Sequence, residues 1–134
     1  MEYFSQDALD DDVARAERVI RRISGIDPRP WFRLPFGNGA DRPALLEMLA
    51  ARGYRHVGWD VDPQDWHRAR TAAWVRREVA DATAANADET IVLFHSWPRA
   101  TAIAMPGVIA GLREMGARFV RVDELESPTT SVTR

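Results

Sequence analysis

The strongest constraint on the fold is a continuous apolar run at residues 90–94, which reads TIVLF. The run is apolar or β-branched throughout, so it has no polar face to turn toward water. A strand of this kind is typical of a parallel sheet that helices cover on both faces. The run ends at His95, and polar Ser96 follows. It therefore predicts a buried strand whose carboxyl end carries a histidine.

Helical and strand patterns alternate along the rest of the chain. Between Asp7 and Ser24 the apolar side chains recur every three or four residues, which is typical of an amphipathic helix. Strands that alternate with helices at such a spacing predict right-handed βα units, a parallel sheet and the α/β class. At 134 residues the chain is expected to form one domain. Further helices are predicted from 43 to about 52, from 66 or 67 to 85 and from 102 to 115, and further strands at 31–34, 54–59 and 118–122.

The composition excludes several classes of function. All 18 basic residues are arginines, so the chain has neither a phosphate-loop lysine nor a Schiff-base amine. The absence of cysteine excludes disulfides, thiolate zinc sites and cysteine nucleophiles. A formal net charge of -2 gives no general attraction for nucleic acid, and no apolar run is long enough to span a membrane. The first residues lack the basic and apolar segments of a signal peptide, so no export signal is expected within the chain.

Polar and aromatic residues follow each predicted strand, at 35–37, 60–66, 95–97 and 123–124. Because the carboxyl ends of parallel strands meet at one edge of a sheet, these segments are expected to share a rim. His95 is the sharpest candidate, because a buried imidazole needs a partner, and a carboxylate such as Asp65 would make it a competent general acid. The alternative, which suits most strand-end histidines taken singly, is a structural histidine that caps the sheet.

The other titratable side chains give weaker signals. The three histidines have no metal-binding spacing, and His56 and His67 are expected to be structural or exposed. Asp60 and Asp62 follow a strand as in an aspartyl-phosphate phosphatase, but that chemistry also requires a lysine. The residues themselves therefore predict no metal site.

Three short motifs lie in order along the chain: RLPFG at 33–37, DPQDW at 62–66 and LFH at 93–95. They resemble the third, fourth and fifth motifs of the polysaccharide deacetylase family, the NodB-homology domain of carbohydrate esterase family 4. The family's motifs read Arg-x-Pro-Tyr/Phe-Gly, Asp-x-x-Asp-Trp and Leu-x-His. The closing segment at 116–125 also resembles the end of the family's domain. Each motif alone is weak, but the ordered set spans most of the chain and is specific.

The resemblance implies a deformed (β/α) barrel that removes acetyl groups from N-acetylated sugars by metal-assisted hydrolysis. Zinc or another divalent metal polarises the amide carbonyl in the intact family domain and lowers the pKa of its bound water. By the same resemblance His95 is the general acid that protonates the departing amine, Asp65 holds and tunes His95, and Arg33 orients the catalytic base.

The resemblance also implies a set of substrate-binding residues. The backbone N–H of Phe36 would help to stabilise the oxyanion, and Trp66 and Leu93 would wall a small pocket for the acetyl methyl group. The implied partner is an N-acetylated polysaccharide or oligosaccharide. The family often works at the cell envelope, and the compartment of this chain is left open.

The family's first two motifs, Thr-Phe-Asp-Asp-Gly and His-Ser/Thr-x-x-His, have no counterpart in this sequence. They supply the catalytic base and the metal ligands, so the chain alone is expected to bind no metal and to be inactive. We expect residues 1–126 to form the carboxyl-terminal part of the domain and residues 127–134 to be a disordered tail. Three explanations stay open: a misplaced start or broken reading frame, a non-catalytic α/β module that binds carbohydrate or a partner, and a domain completed by a second chain at an exposed sheet edge.

Overall fold

The computed structural model describes residues 5–86 and 89–125. The chain divides into two compact units, Met1–Gly58 and Trp59–Arg134. Within the described residues, no helix combines the length and the apolar character that a membrane span requires. The helices are α1 (Gln6–Ser24), α2 (Pro43–Ala51), α3 (Ala72–Ala85) and α4 (Arg99–Glu114), and the strands are β1 (Trp31–Phe32) and β2 (Arg55–His56).

Helix α1 of the first unit confirms the predicted amphipathic helix. Its N-cap is Ser5, whose hydroxyl oxygen accepts a hydrogen bond from the backbone N–H of Ala8 at 3.2 Å. Its C-cap is Gly25 in the left-handed conformation, at φ 71°, which glycine adopts without steric cost. Val13 is the buried residue of its apolar stripe and joins the core of this unit.

Strands β1 and β2 are parallel and pair Trp31 with Arg55 and Phe32 with His56. Both strands are shorter than predicted and pair over two residues each, and after Leu34 the chain turns into a 3-10 helix at Pro35–Gly37. Because proline has no backbone N–H to give to a sheet, β1 could not extend past Leu34 as a paired strand. The buried core of the unit consists of Val13, Leu34, Leu49 and Tyr54.

The second unit is built on α3, α4 and one parallel backbone bridge. Val61 pairs with Val92, and the N–H of Leu93 donates to the carbonyl of Val61 at 2.9 Å. The predicted strand at 90–94 is therefore reduced to this bridge, although Val92 and Phe94 still pack against the helices. The buried core of the unit consists of Val75, Val79, Ala104, Val108 and Leu112.

Three boundaries in the second unit differ from the sequence prediction. Helix α3 begins at Ala72 and not at 66 or 67, because Thr71 is its N-cap and accepts from the N–H of Trp74 at 3.1 Å. Helix α4 begins earlier than predicted, directly after Pro98. Within the described residues the predicted strand at 118–122 has no ladder partner, and a short 3-10 helix forms at Val122–Glu124. The proposed tail at 127–134 lies outside the described residues.

Candidate active site

The loop between Val61 and α3 turns Asp65 toward the interior of the second unit. Pro63 and Asp65 are fully buried, whereas Gln64 between them is exposed. Gln64 adopts a left-handed backbone at φ 48°, which costs a residue with a side chain roughly 1–2 kcal/mol. The turn is held by the Asp62 carboxylate, which accepts from the N–H of Gln64 at 2.8 Å. Sparsely populated backbone of this kind is found more often at functional sites than elsewhere.

The Asp65 carboxylate accepts three hydrogen bonds. Its Oδ2 accepts from the backbone N–H of His95 at 2.9 Å and from the hydroxyl of Thr101 at 2.5 Å. Its Oδ1 lies 2.7 Å from Nδ1 of the His95 ring. The side chain of Asp65 is fully buried, whereas that of His95 keeps 19% of its surface exposed. The two predicted partners therefore meet, with the carboxylate inside and the imidazole at the surface.

The protonation of Asp65 follows from a balance of opposing effects. Burial by itself raises the pKa of this carboxyl, but the hydrogen bonds from Thr101 and His95 outweigh it and hold the pKa below the ordinary value of 3.8. Asp65 is thus ionised at neutral pH and can only accept hydrogen bonds. The Nδ1 atom of His95 must therefore carry the proton that faces Asp65. The Nε2 atom is the ring nitrogen left for other chemistry.

Aromatic side chains lie beside this pair. The ring of Trp97 meets the ring of His95 edge to face, with centroids 4.6 Å apart and planes at 63°. Trp97 is 71% exposed, so most of its surface is open to a ligand. Trp66 directly follows Asp65 in the chain, is about half exposed and contacts the ring of His67. Leu93, two residues before His95, is half-buried.

The other two predicted site residues belong to the first unit. Arg33 is exposed and comes directly after β1. Phe36 lies in the 3-10 helix at Pro35–Gly37, is 91% exposed and has a left-handed backbone at φ 57°. The third motif thus contains a non-glycine residue at positive φ, as the fourth motif does at Gln64. The structure brings Asp65 and His95 together within one unit and places Arg33 and Phe36 in the other.

Several curated proteins similar to this chain are named as peptidoglycan deacetylases. A peptidoglycan-N-acetylglucosamine deacetylase from Listeria monocytogenes is 32% identical over 114 residues, which cover 84% of this chain and 22% of that protein. A peptidoglycan-N-acetylmuramic acid deacetylase from Bacillus subtilis is 31% identical over 108 residues, which cover 81% of this chain and 21% of that protein. The chain is related to the polysaccharide deacetylases of carbohydrate esterase family 4.

Solved structures of this deacetylase family share the fold of the chain. A family 4 carbohydrate esterase from Streptomyces lividans, in complex with acetate, matches with a TM-score of 0.72 and 25% identity. The match covers 90% of this chain and 60% of that one. The catalytic domain of a peptidoglycan N-acetylglucosamine deacetylase from Eubacterium rectale matches with a TM-score of 0.73. The chain spans about a fifth of the length of the curated deacetylases above, and no protein-family model matches it.

The described part of the chain does not fit the divalent metal that the deacetylase family implies. Across residues 5–86 and 89–125 no three His, Cys, Asp or Glu side chains come together. The Nδ1 atom of His95 is bound to Asp65, and that of His67 accepts from the N–H of Ala69 at 3.2 Å. His56 is buried in β2, and burial lowers its pKa; the neutral ring could bind a metal, but no further ligands accompany it among the described residues. The described residues of the second unit therefore provide the Asp65–His95 pair and no set of metal ligands.

Two features of the site were not predicted from the sequence. Thr101 is buried and donates to Asp65, but a threonine in the first turn of a helix ordinarily bonds to nearby backbone, so its type and position gave no signal. The left-handed conformation of Gln64 was also missed, because glycine and asparagine are the usual residues there. Sequence patterns identify the residues of the pair and leave out the groups that hold it in place.

Proposed function

We propose that this chain carries the general-acid part of a deacetylase site that hydrolyses the acetamide group of N-acetylated sugars. The observation that supports the proposal is the contact between buried Asp65 and Nδ1 of partly buried His95. A general acid needs a proton on the atom that faces the substrate, and this contact leaves Nε2 for that proton. Curated relatives named as peptidoglycan deacetylases support the same class of substrate.

In this proposal each predicted residue has one role. When the His95 ring carries both protons, Nε2 gives one to the departing amine nitrogen as the C–N bond breaks. Asp65 supplies the negative charge that stabilises the doubly protonated ring, and it fixes the ring's orientation. Trp66 and Leu93 line the space for the acetyl methyl group.

The remaining roles are assigned to the first unit and to groups outside the chain. Arg33 orients the catalytic base, and the N–H of Phe36 helps to stabilise the oxyanion. The base and the ligands of a zinc or similar ion lie outside the described residues, in a complete (β/α) barrel of which residues 1–126 form the carboxyl-terminal part. Where that part is exposed, the unpaired sheet edge is the surface through which a completing segment associates.

The test is a nuclear magnetic resonance titration of the whole chain with an N-acetylglucosamine trimer and with its fully deacetylated counterpart. Because the sequence has three histidines, single substitutions assign each imidazole. The acetylated trimer is expected to shift the ring signals of His95, and the deacetylated trimer to shift them much less. When binding is read from backbone amide signals, the variant His95→Gln should lose the preference for the acetylated sugar, whereas the exposed control His67→Gln should keep it.

Acetate release is measured in parallel on the chain alone and is expected to be absent, since the sequence lacks the two motifs that supply the base and the metal ligands in the deacetylase family. His95 signals that respond equally to both trimers would refute a site for the acetamide. So would His95 signals that stay unchanged while other residues respond.

A second candidate function is a carbohydrate-binding module without catalysis. It is favoured by the exposure of Trp66 and Trp97, at 48% and 71%, because flat aromatic surfaces suit the apolar faces of sugar rings. A module of this kind would bind acetylated and deacetylated trimers alike and would lose affinity in Trp97→Ala. It would be insensitive to His95→Gln. The same titration thus separates the two functions.

A further inference from the structure

Thr101 makes an unusual use of its hydroxyl group. The residue lies in the first turn of α4 and is 5% exposed. In such a position a threonine hydroxyl ordinarily bonds to backbone within its own helix. Here the backbone N–H of Thr101 donates to the carbonyl of Pro98 at 3.1 Å, and the hydroxyl donates out of the helix to Oδ2 of Asp65. The hydroxyl thus links α4 to the loop that carries Asp65.

The direction of this hydrogen bond determines how Asp65 meets His95. Two donors, the backbone N–H of His95 and the hydroxyl of Thr101, both bond to Oδ2. They leave Oδ1 as the oxygen that faces Nδ1 of the ring. With the backbone donor alone, rotation of the carboxylate about its χ2 angle would cost less, because that torsion is broad in aspartate. The second donor removes this freedom.

We propose that Thr101 is a positioning residue, which acts through Asp65 to hold His95 in the Nδ1–H form with Nε2 directed outward. The proposal rests on the proposed function for its catalytic meaning, since the outward Nε2 is the atom assigned there as the proton donor. Its structural content is independent of catalysis: the loss of one buried hydroxyl should change which nitrogen of another residue carries the proton.

The experiment compares Thr101→Val, Thr101→Ser and Thr83→Val in the whole chain labelled with nitrogen-15. Valine keeps the branched shape at 101 and removes the hydroxyl, whereas serine keeps the hydroxyl. Thr83 is the matched control, because its buried hydroxyl has no partner among the described residues and it also lies in a helix of the second unit. Nitrogen chemical shifts of the His95 ring report the tautomer at a pH of about 9, where an ordinary imidazole is neutral.

The wild type, Thr101→Ser and Thr83→Val are expected to show one dominant tautomer with the proton on Nδ1. In Thr101→Val the ratio of the two tautomers should shift by about tenfold toward the Nε2–H form, which corresponds to about 1.4 kcal/mol. A ratio in Thr101→Val that equals the wild-type ratio overturns the proposal. A shift of the same size in Thr83→Val also overturns it, because the effect would then follow from a general loss of packing.

The possibility that Thr101→Val does not fold is covered by a measurement on the wild type. A hydroxyl that donates to a buried carboxylate exchanges slowly with water, so its proton should give a resolved signal correlated with the side chain of Thr101. Absence of that signal at low temperature counts against the proposal. The outcome is separable from the proposed function: the tautomer is read without any sugar, whereas the trimer titration reads the site for the acetamide.

Discussion

Replacement of Asp65 by asparagine removes one charge and leaves the shape of the buried side chain unchanged. A hydrogen bond to a charged acceptor contributes about 1.5–3 kcal/mol and a neutral one about 0.5–1.5 kcal/mol. Two donors, from His95 and Thr101, can still reach an amide oxygen in Asp65→Asn, at a loss of about 1 kcal/mol each. The third contact is worse, since an amide N–H₂ would face Nδ1 and force its proton to the other ring nitrogen.

The three losses amount to about 3 kcal/mol. Part of this is offset because the variant no longer buries a charged group, which costs free energy. We therefore expect Asp65→Asn to lower the free energy of unfolding by about 2 kcal/mol. Urea unfolding followed by tryptophan fluorescence measures this change, and hydrogen exchange of the His95 amide reports it locally. The matched control is Asp62→Asn, in the same loop, whose exposed carboxylate accepts one backbone hydrogen bond. An Asp65→Asn variant as stable as Asp62→Asn, with unchanged exchange at His95, would refute the reasoning.

Three further predictions follow from the same contacts and from the backbone. The pKa of Asp65 is lower in the folded protein than its value of 3.8 in the unfolded chain, so its ionised form stabilises the fold above that pH. This stability is lost as the pH falls through the folded pKa. The difference in unfolding free energy between the wild type and Asp65→Asn should therefore shrink below about pH 4. Gly111→Ala should stabilise the protein by about 0.5–1 kcal/mol, because alanine favours the helix and nothing lies within 4 Å of the added Cβ in α4. Gly116→Ala should destabilise the protein by about 1 kcal/mol in the same urea assay, because a residue with a side chain is strained at φ 86°. Calorimetric titration with zinc should show no one-to-one binding, and a chelator should leave the melting temperature unchanged; stoichiometric binding would show that the chain assembles a ligand set after all.

The helices were predictable from the sequence because the signals that form them are local. In α1 the apolar spacing between Asp7 and Ser24 lies within one stretch of chain and gives bounds close to the observed Gln6–Ser24, whereas the starts of α3 and α4 were misplaced. The sheet was less predictable, since a strand exists only when another segment pairs with it. The run at 90–94 has the strongest strand pattern of the chain, yet it makes a single bridge, at Val92. The segment at 118–122 makes none within the described residues.

The candidate site divides in the same way. The pairing of Asp65 with His95 was predictable, because two motifs that follow neighbouring predicted strands carry a carboxylate and an imidazole. The orientation of the Asp65 carboxylate was not predictable, because it depends on the hydroxyl of Thr101 and on the turn at Gln64. Neither residue type is distinctive at its position. The motifs contain Asp65 and His95, whereas the contributions of Thr101 and Gln64 are seen only in the structure.

Among the described residues, the hydrogen bonds and the ring contact of His95 come from the second unit. Burial of an ionised carboxylate is costly unless its oxygens are occupied by donors. In Asp65 the donors come from His95 and from Thr101, so a folded second unit meets that cost by itself. In the proposed function, the general acid is thus oriented before any metal ligand or catalytic base is added. On that proposal, a segment that completes the site would need to bring only the base and the metal ligands, because Asp65 already orients His95.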